Sequence, residues 1–233
     1  MNGILLMLVI FGSNVVQAFT GFAGTLLAMP LCIKLVGVDS ARFILNFVAL
    51  FANLYIMIVD RKNINVKAIC KAAPWLLIGV LLAPFIYSAV NTEALIYVYG
   101  VVIILISLWK LFVNVEFHVP QPVVYLLVLL AGIAQGLFAS GGPFLVVYMA
   151  SHTNGKSEFR ATICTVWVFL CSIFIFQNFS AITPYDFKLS MISLAPLLVS
   201  MIIGNVIHKK ISQEKFMKIS YILLLISGIS IFL

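Results

Sequence analysis

The sequence predicts an all-α polytopic membrane protein made of two inverted repeats, each a re-entrant or broken helical hairpin followed by three transmembrane helices. Three observations carry this prediction: the composition, a duplication of the whole chain, and the distribution of Lys and Arg. Hydrophobic residues make up 64% of the sequence and charged residues 9%, with a mean hydropathy of +1.19. These values lie far outside the range of a soluble domain, so the lipid bilayer is the expected surrounding of most of the chain.

Eight apolar segments follow one another along the chain, separated by short polar connections. A membrane-spanning helix needs about 20 apolar residues, and most of the segments have that length. The first segment has neither a basic leader nor a small-residue cleavage pattern, so we expect it to belong to the mature protein rather than to a signal peptide. The segments cover residues 3–35, 41–59, 67–88, 92–113, 122–149, 158–178, 185–207 and 213–232.

The first four segments align with the last four, which divides the chain into repeats at residues 1–116 and 117–233. Each repeat begins with an apolar run that is too long for one helix and is interrupted by polar and glycine residues. The two interruptions, Gln17–Gly24 and Gln135–Gly142, are 118 positions apart. Secondary transporters build substrate sites at the bilayer midplane from repeats with discontinuous helices, so the duplication predicts a transporter.

The distribution of Lys and Arg indicates how the repeats are oriented. If every segment crossed the membrane once, these residues would divide almost evenly between the two faces. If the first and fifth segments instead enter and return on one side, eleven fall on one face and three on the other, as the positive-inside rule favours. Both termini then lie outside the cytoplasm. The cytoplasmic set is Arg61, Lys62, Lys67, Lys71, Lys110, Lys156, Arg160, Lys209, Lys210, Lys215 and Lys218, and the outer set is Lys34, Arg42 and Lys188.

The two interruptions form the candidate substrate site. About 13 residues follow each one before the next polar loop, or roughly 20 Å of helix, which reaches the midplane but not the far side. Glycines there permit a turn and the close approach of a ligand, and the start of each returning helix offers N–H groups and a positive dipole end to an oxyanion. Helix packing for the glycines, and capping or bridging for the polar side chains, are the alternative roles. The residues assigned to the site are Gln17, Thr20, Gly21, Gly24, Gln135, Ser140, Gly141 and Gly142.

Arg42 and Arg160 occupy matched positions, each about 18 residues past its interruption, and we assign both to substrate binding. Arg42 is unexpected at the sparsely basic outer face, although a lone arginine near a helix end is usually a snorkelling anchor. Asn46 and Asn53 share a helix face with Arg42. This polar face either lines a cavity or packs against another helix, and we include Asn46 in the site.

All seven acidic residues fall at segment ends, so the sequence shows no intramembrane carboxylate for a proton relay. An anion leaving a negative-inside cell gains about 2.3 kcal/mol per charge per 100 mV, which favours export. No Ser/His/Asp, Cys/His or metalloprotease pattern is present, so we expect no enzyme activity, no cofactor and no metal. The expected partners are a small anion and the lipid bilayer, without nucleic acid, and the sequence leaves a homodimer open.

The duplicated pattern resembles the TauE/SafE family of sulfite exporters over essentially the whole chain. The resemblance implies a permease of the bacterial inner membrane for small sulfur-containing anions such as sulfite, sulfoacetate or other organosulfonates. A channel or permease for carboxylates or inorganic oxyanions, and a non-transporting scaffold subunit, are the alternatives. Tyr148 stands where the first repeat has Pro30, so the two returning helices need not be equivalent. The stretches that carry the resemblance are Gln17–Gly24 followed by Pro30 and Arg42, and Gln135–Pro143 followed by Arg160.

Overall fold

The computed structural model describes residues 2–89, 97, 100–101, 104–105, 107–109, 111–112, 121–138, 141–230 and 232. All regular elements among these residues are helical, and the described positions from 97 to 112 are helical too. The α-helices are α1 (Asn2–Thr20), α2 (Gly24–Val36), α3 (Val38–Val59), α4 (Val66–Ala89), α5 (Gln121–Phe138), α6 (Gly142–His152), α7 (Lys156–Gln177), α8 (Pro184–Lys210) and α9 (Gln213–Ser230). Two 3₁₀ turns, Arg61–Asn63 and Phe179–Ala181, follow α3 and α7.

Five helices of the described chain are long and apolar enough to cross a membrane. They confirm the prediction of an all-α polytopic membrane protein. The helices that return after the interruptions are shorter, with 13 residues in α2 and 11 in α6, or about 20 and 16 Å of helix. The five candidate spans are Gly3–Thr20, Asp39–Val59, Val66–Ala83, Lys156–Gln177 and Pro184–Lys210.

The sequence duplication is also a duplication of helix boundaries. Helices α3 and α7 each have 22 residues and begin 118 positions apart, and the 3₁₀ turns that follow them have the same offset. Gly37 and Gly155, equally spaced, precede these helices with φ angles of 83° and 102°. Glycine reaches this left-handed region with little steric cost, so both repeats use the same residue to turn from the returning helix into the next one.

The predicted interruptions are present as breaks in the helices. In the first repeat α1 ends at Thr20 and α2 begins at Gly24, and in the second α5 ends at Phe138 and α6 begins at Gly142. Helix α1 has 19 residues, about 28 Å. It is therefore much longer than α2, and the two arms of this hairpin are unequal.

The chain folds into two compact units, which each take helices from both repeats. The first unit comprises Met1–Asn65 and Gly155–Ile211, and the second Val66–Asn154 and Ser212–Leu233. The units therefore cut across the repeats predicted from the sequence. The repeat boundary predicted at residues 116 and 117 lies outside the described residues, and that division stays a prediction.

The same helix crossing occurs within each unit. In the first unit α1 packs on α8, where a Cβ on Gly204 would collide with Ala18. In the second unit α5 packs on α4, where a Cβ on Gly136 would collide with Ala83. Gly136 is the repeat equivalent of Ala18, and Ala83 is that of Gly204, so each crossing joins one glycine and one alanine. Small residues let membrane helices approach closely. Both crossings therefore have a glycine facing an alanine, although the glycine lies on a different one of the two equivalent helices in each unit.

Helices α3 and α7 of the first unit pack against each other in antiparallel directions. Arg160, near the start of α7, binds Asp60, the first residue after α3. Arg42, near the start of α3, lies over the ring of Phe174 near the end of α7, with 5.5 Å from its Cζ to the ring centroid. The equivalent arginines of the two repeats therefore each face the end of the other repeat's helix.

The connection after α3 lies at the same end of the first unit as the start of α7 and the end of α8. Asn65 Nδ2 donates to Glu158 Oε1 at 2.6 Å. Lys156 Nζ donates to the carbonyl oxygen of His208 at 2.6 Å and to that of Ile211. These bonds hold together three connections that are distant in the sequence.

Candidate functional site

The first helix break is closed by the side chain of Gln17, which is 3% exposed. Its Oε1 accepts a hydrogen bond from the N–H of Gly24, the first residue of α2, at 2.9 Å. Its Nε2 donates to Oδ1 of Asn53 on α3 at 2.8 Å. A Cβ on Gly24 would lie 2.6 Å from Cβ of Gln17. Gln17 therefore caps the returning helix and ties the break to α3, and Gly24 is needed for this packing.

Thr20 and Gly21 shape the turn between α1 and α2. Thr20 Oγ1 donates to the carbonyl oxygen of Val16 at 2.8 Å and accepts from the N–H groups of Phe22 and Ala23 at 3.4 and 3.5 Å. Gly21 has a φ of 89°. Two N–H groups of the turn are thus bound by the hydroxyl of Thr20, which acts as a cap.

Asn46 and Asn53 lie one above the other on α3, and both are buried. Nδ2 of Asn46 donates to the carbonyl oxygen of Arg42, one turn earlier on the same helix, at 2.8 Å. Asn53 binds Gln17, as described above. The C-terminal half of the polar face of α3 therefore packs against the break through Asn53. Asn46 lies on the same face between Asn53 and Arg42.

The second unit repeats the glutamine cap. Oε1 of Gln135 accepts from the N–H of Gly141 at 3.1 Å. A Cβ on Gly141 would meet Cβ of Gln135 at 3.1 Å and collide with the carbonyl oxygen of Ala131. Gly142 is buried and begins α6, while Ser140 lies outside the described residues. The matched glutamines found in the sequence thus share one structural role, which is to cap the returning helix.

Arg160 is 1% exposed and its guanidinium is bound by protein groups alone. Nε donates to Oδ2 of Asp60 at 2.9 Å, and Nη2 donates to the same oxygen. Nη1 donates to the carbonyl oxygen of Ala18 at 2.8 Å, and Nη2 also donates to Oδ1 of Asn205 at 3.0 Å. Arg160 therefore joins the ends of α1, α3, α7 and α8.

Arg42 is half-buried, and its guanidinium makes no hydrogen bond or ion pair in the described part of the chain. Its Nε is shielded from solvent and has no acceptor among the described residues, and its Cζ lies over the ring of Phe174 in a cation–π contact. Arg42 and Asp60 are 18 residues apart on α3, or about 27 Å along the helix axis. Because Asp60 binds Arg160, the two arginines lie at opposite ends of α3 and cannot contact one small ligand together.

Sequence reasoning missed Asp60, Asn205 and Asn178. In the sequence, Asp60 is one of seven acids at segment ends, and nothing distinguishes it from the others. Asn205 lies in an apolar run and is not matched by an asparagine in the first repeat. Asn178 occupies the position equivalent to Asp60, 118 residues later. The alignment of the two repeats could have revealed them. The arginines are the same in both repeats, whereas the equivalent positions 60 and 178 hold an aspartate and an asparagine.

The fold and the site together define a class of protein. Membrane-spanning helices, a duplicated hairpin with a helix break, and polar side chains buried at that break are features of membrane transporters built from repeats. The sequence model of the family described as Sulfite exporter TauE/SafE matches residues 6–231. The chain belongs to this family, and it is an integral membrane protein of a family that transports sulfite and related sulfur anions. No match was found among curated proteins or among solved structures.

Proposed function

We propose that this chain exports small sulfur oxyanions, such as sulfite or an organosulfonate like sulfoacetate, across the bacterial inner membrane. Family membership supplies the class of transporter and of substrate. The particular anion, the direction of transport and the residues that bind it are the content of the proposal.

The antiparallel packing of α3 and α7 is the observation that carries the proposal. Arg160 at the start of α7 reaches Asp60 at the end of α3, and Arg42 at the start of α3 reaches Phe174 at the end of α7. Two equivalent helices that pack in this way are related by an axis in the membrane plane, as in transporters with inverted repeats. This relation supports alternating access, in which the two repeats exchange roles.

The position of the basic residues supports the same arrangement. The connection that carries Arg61 and Lys62 lies at the same end of the first unit as Lys156 and the carbonyl oxygen of Ile211. In a parallel arrangement with eight crossings, residues 60–65 and the start of α7 would lie on opposite membrane faces. The observed contacts favour inverted repeats, with this basic end in the cytoplasm and both termini outside.

The acid content of the first unit supports export. Asp60, the acid that follows α3, is already paired with Arg160. An anion that moves outward down the membrane potential gains about 2.3 kcal/mol per charge per 100 mV. Export therefore needs no coupling ion, whereas uptake would have to be driven against this field.

A binding screen tests the proposal. The purified full chain is heated in detergent with sulfite, sulfoacetate, thiosulfate, acetate or phosphate, and its unfolding midpoint is compared with that of the ligand-free protein. A ligand that binds only the folded state stabilises it, by about 2.7 kcal/mol at 100 times its dissociation constant. We expect stabilisation by sulfite or a sulfonate at concentrations where acetate has no effect. Stabilisation by carboxylates or phosphate alone would indicate the alternative anion permease, and no stabilisation by any anion would indicate a scaffold subunit.

A further inference from the structure

Arg42 and Arg160 are equivalent in the two repeats but have different surroundings. Both lie near the start of a helix in the antiparallel α3 and α7 pair, and both face the last turn of the other helix. Arg160 meets the carboxylate of Asp60 there. At the equivalent place Arg42 meets a stretch that ends with Asn178, whose Nδ2 donates to the carbonyl oxygen of Phe174 at 2.8 Å.

Among the described residues, the charge of Arg42 has no counterion. The two acidic residues near the start of α3 and of α8, Asp39 and Asp186, form no ion pair with it. Asp186 instead forms a capping box with Thr183 at the start of α8. A cation that is partly removed from water without an acceptor is unfavourable. In Arg160 this cost is offset by three protein acceptors, and in Arg42 no described protein group does so.

The surroundings of Arg42 suit an oxyanion. A guanidinium presents its N–H donors in one plane and binds two oxygen atoms of one anion at once. Cζ of Arg42 lies over the ring of Phe174, 5.5 Å from its centroid, and this cation–π contact uses none of the N–H donors. The Nε donor is sheltered from bulk water, where a charge-assisted hydrogen bond is stronger than at an open surface.

We propose that Arg42 binds the negatively charged SO₃ group of the substrate, and that this group takes the place that Asp60 fills for Arg160. The arginine of the second repeat is then a structural residue, and the replacement of aspartate by asparagine at position 178 leaves the first one open for an anion. This assignment rests on the proposed function. In the proposed orientation Arg42 lies at the outer end of α3, so the anion bound there is one about to leave the membrane.

Two substitutions test the assignment from opposite directions. Arg42→Gln removes the charge, and Asn178→Asp supplies a carboxylate at the place equivalent to Asp60. Each has a matched control: Lys34→Gln removes an exposed cation on the same side in the proposed orientation, and Asn63→Asp adds the same charge at the other end of α3. Equilibrium binding of ³⁵S-labelled sulfite to the purified full chain is measured for all five proteins, and the ligand-free unfolding midpoint confirms that each is folded.

We expect Arg42→Gln and Asn178→Asp to weaken sulfite binding about tenfold or more, as the loss of one charge-assisted contact does, while both controls bind like the wild type. Wild-type affinity in Arg42→Gln, or an equal loss in Asn178→Asp and Asn63→Asp, would overturn the assignment and leave the proposed function intact. If the wild type binds neither sulfite nor sulfoacetate, the proposed function fails and the assignment fails with it. Should Arg42→Gln unfold, Arg42→Lys keeps the charge without the planar fork, and its unchanged affinity would also overturn the assignment.

Discussion

The guanidinium of Arg160, near the start of α7, binds the carboxylate of Asp60 at the end of α3, across 100 residues of sequence. The same guanidinium also donates to the carbonyl oxygen of Ala18 and to the side-chain oxygen of Asn205. One buried arginine thus fixes the ends of four helices that come from both repeats. Its equivalent, Arg42, has no such set of partners among the described residues.

Replacing Arg160 should destabilise the protein far more than replacing Arg42. Arg160→Ala leaves the carboxylate of Asp60 and the oxygen of Asn205 without their donor, and removal of one partner from a buried ion pair costs about 3–5 kcal/mol. Arg42→Ala removes no hydrogen bond made by a guanidinium nitrogen. Reversible unfolding in mixed micelles measures the two free energies. Equal losses of stability in both variants would contradict the distinction between the two arginines.

The connection after α3 and the end of α8 should lie on one side of the membrane. Lys62→Cys and Lys210→Cys are introduced one at a time into a chain in which the exposed Cys70 is replaced by serine. An impermeant maleimide applied to intact cells should label neither position and should label both after permeabilisation. Lys34→Cys, on the outer face in the proposed orientation, is the control that should react in intact cells. Labelling of only one of positions 62 and 210 in intact cells would restore the parallel arrangement.

Gln17 should be required for the fold of the first hairpin. Gln17→Met keeps the length of the side chain but leaves the N–H of Gly24 and Oδ1 of Asn53 without their partner, at a cost of about 1–3 kcal/mol for each unsatisfied group. Gln213→Met, at an exposed position at the start of α9, is the matched control. The unfolding midpoint should fall in the first variant alone. A midpoint equal to that of the wild type would show that the cap does not stabilise the break.

Gly141 should be required for packing within the second unit. The sequence analysis assigns this glycine to the substrate site, because glycine permits the close approach of a ligand. A Cβ at Gly141 collides with the backbone of α5, so even Gly141→Ala should lower the yield of folded protein, by forcing apart helices that small residues hold close. Gly12→Ala, where no atom lies within 4 Å of the added Cβ, is the control. Normal yield together with weakened sulfite binding in Gly141→Ala would instead favour a direct role in the site.

Much of the fold could be predicted because its signals are local or repeated. Apart from segment 92–113, most of which lies outside the described residues, the apolar segments match the helices to within a few residues, and the polar and glycine residues at Gln17–Gly24 mark a real break. The positive-inside count indicated that residues 61 and 156 share a face, and their connections lie at one end of the first unit. The inverted relation of the repeats and their boundary stay predictions.

The site was harder to predict because it depends on which helices meet. The sequence showed Arg42 and Arg160 as a matched pair, and matched residues invite one shared role. The antiparallel packing of α3 and α7 instead places the two arginines at opposite ends of the helix pair. Asp60 binds Arg160, and only this contact shows that the asparagine at position 178 removes the equivalent carboxylate from Arg42. Similarly, donors at a helix start indicate an anion site in sequence, whereas in the fold the side chains of Gln17 and Thr20 accept from three N–H groups of this break. Intramolecular caps and ligand-binding groups use the same residue types, so composition does not separate them.

Efflux from vesicles measures directly whether the chain exports sulfite. The full chain is reconstituted in vesicles loaded with ³⁵S-labelled sulfite, and efflux is followed at increasing internal concentrations with the inside held negative or positive. We expect protein-dependent efflux that saturates, runs faster when the inside is negative, and is competed by sulfoacetate but not by acetate. Folded and inserted protein that gives no sulfite or sulfoacetate efflux, or efflux that rises linearly without saturation, would contradict it.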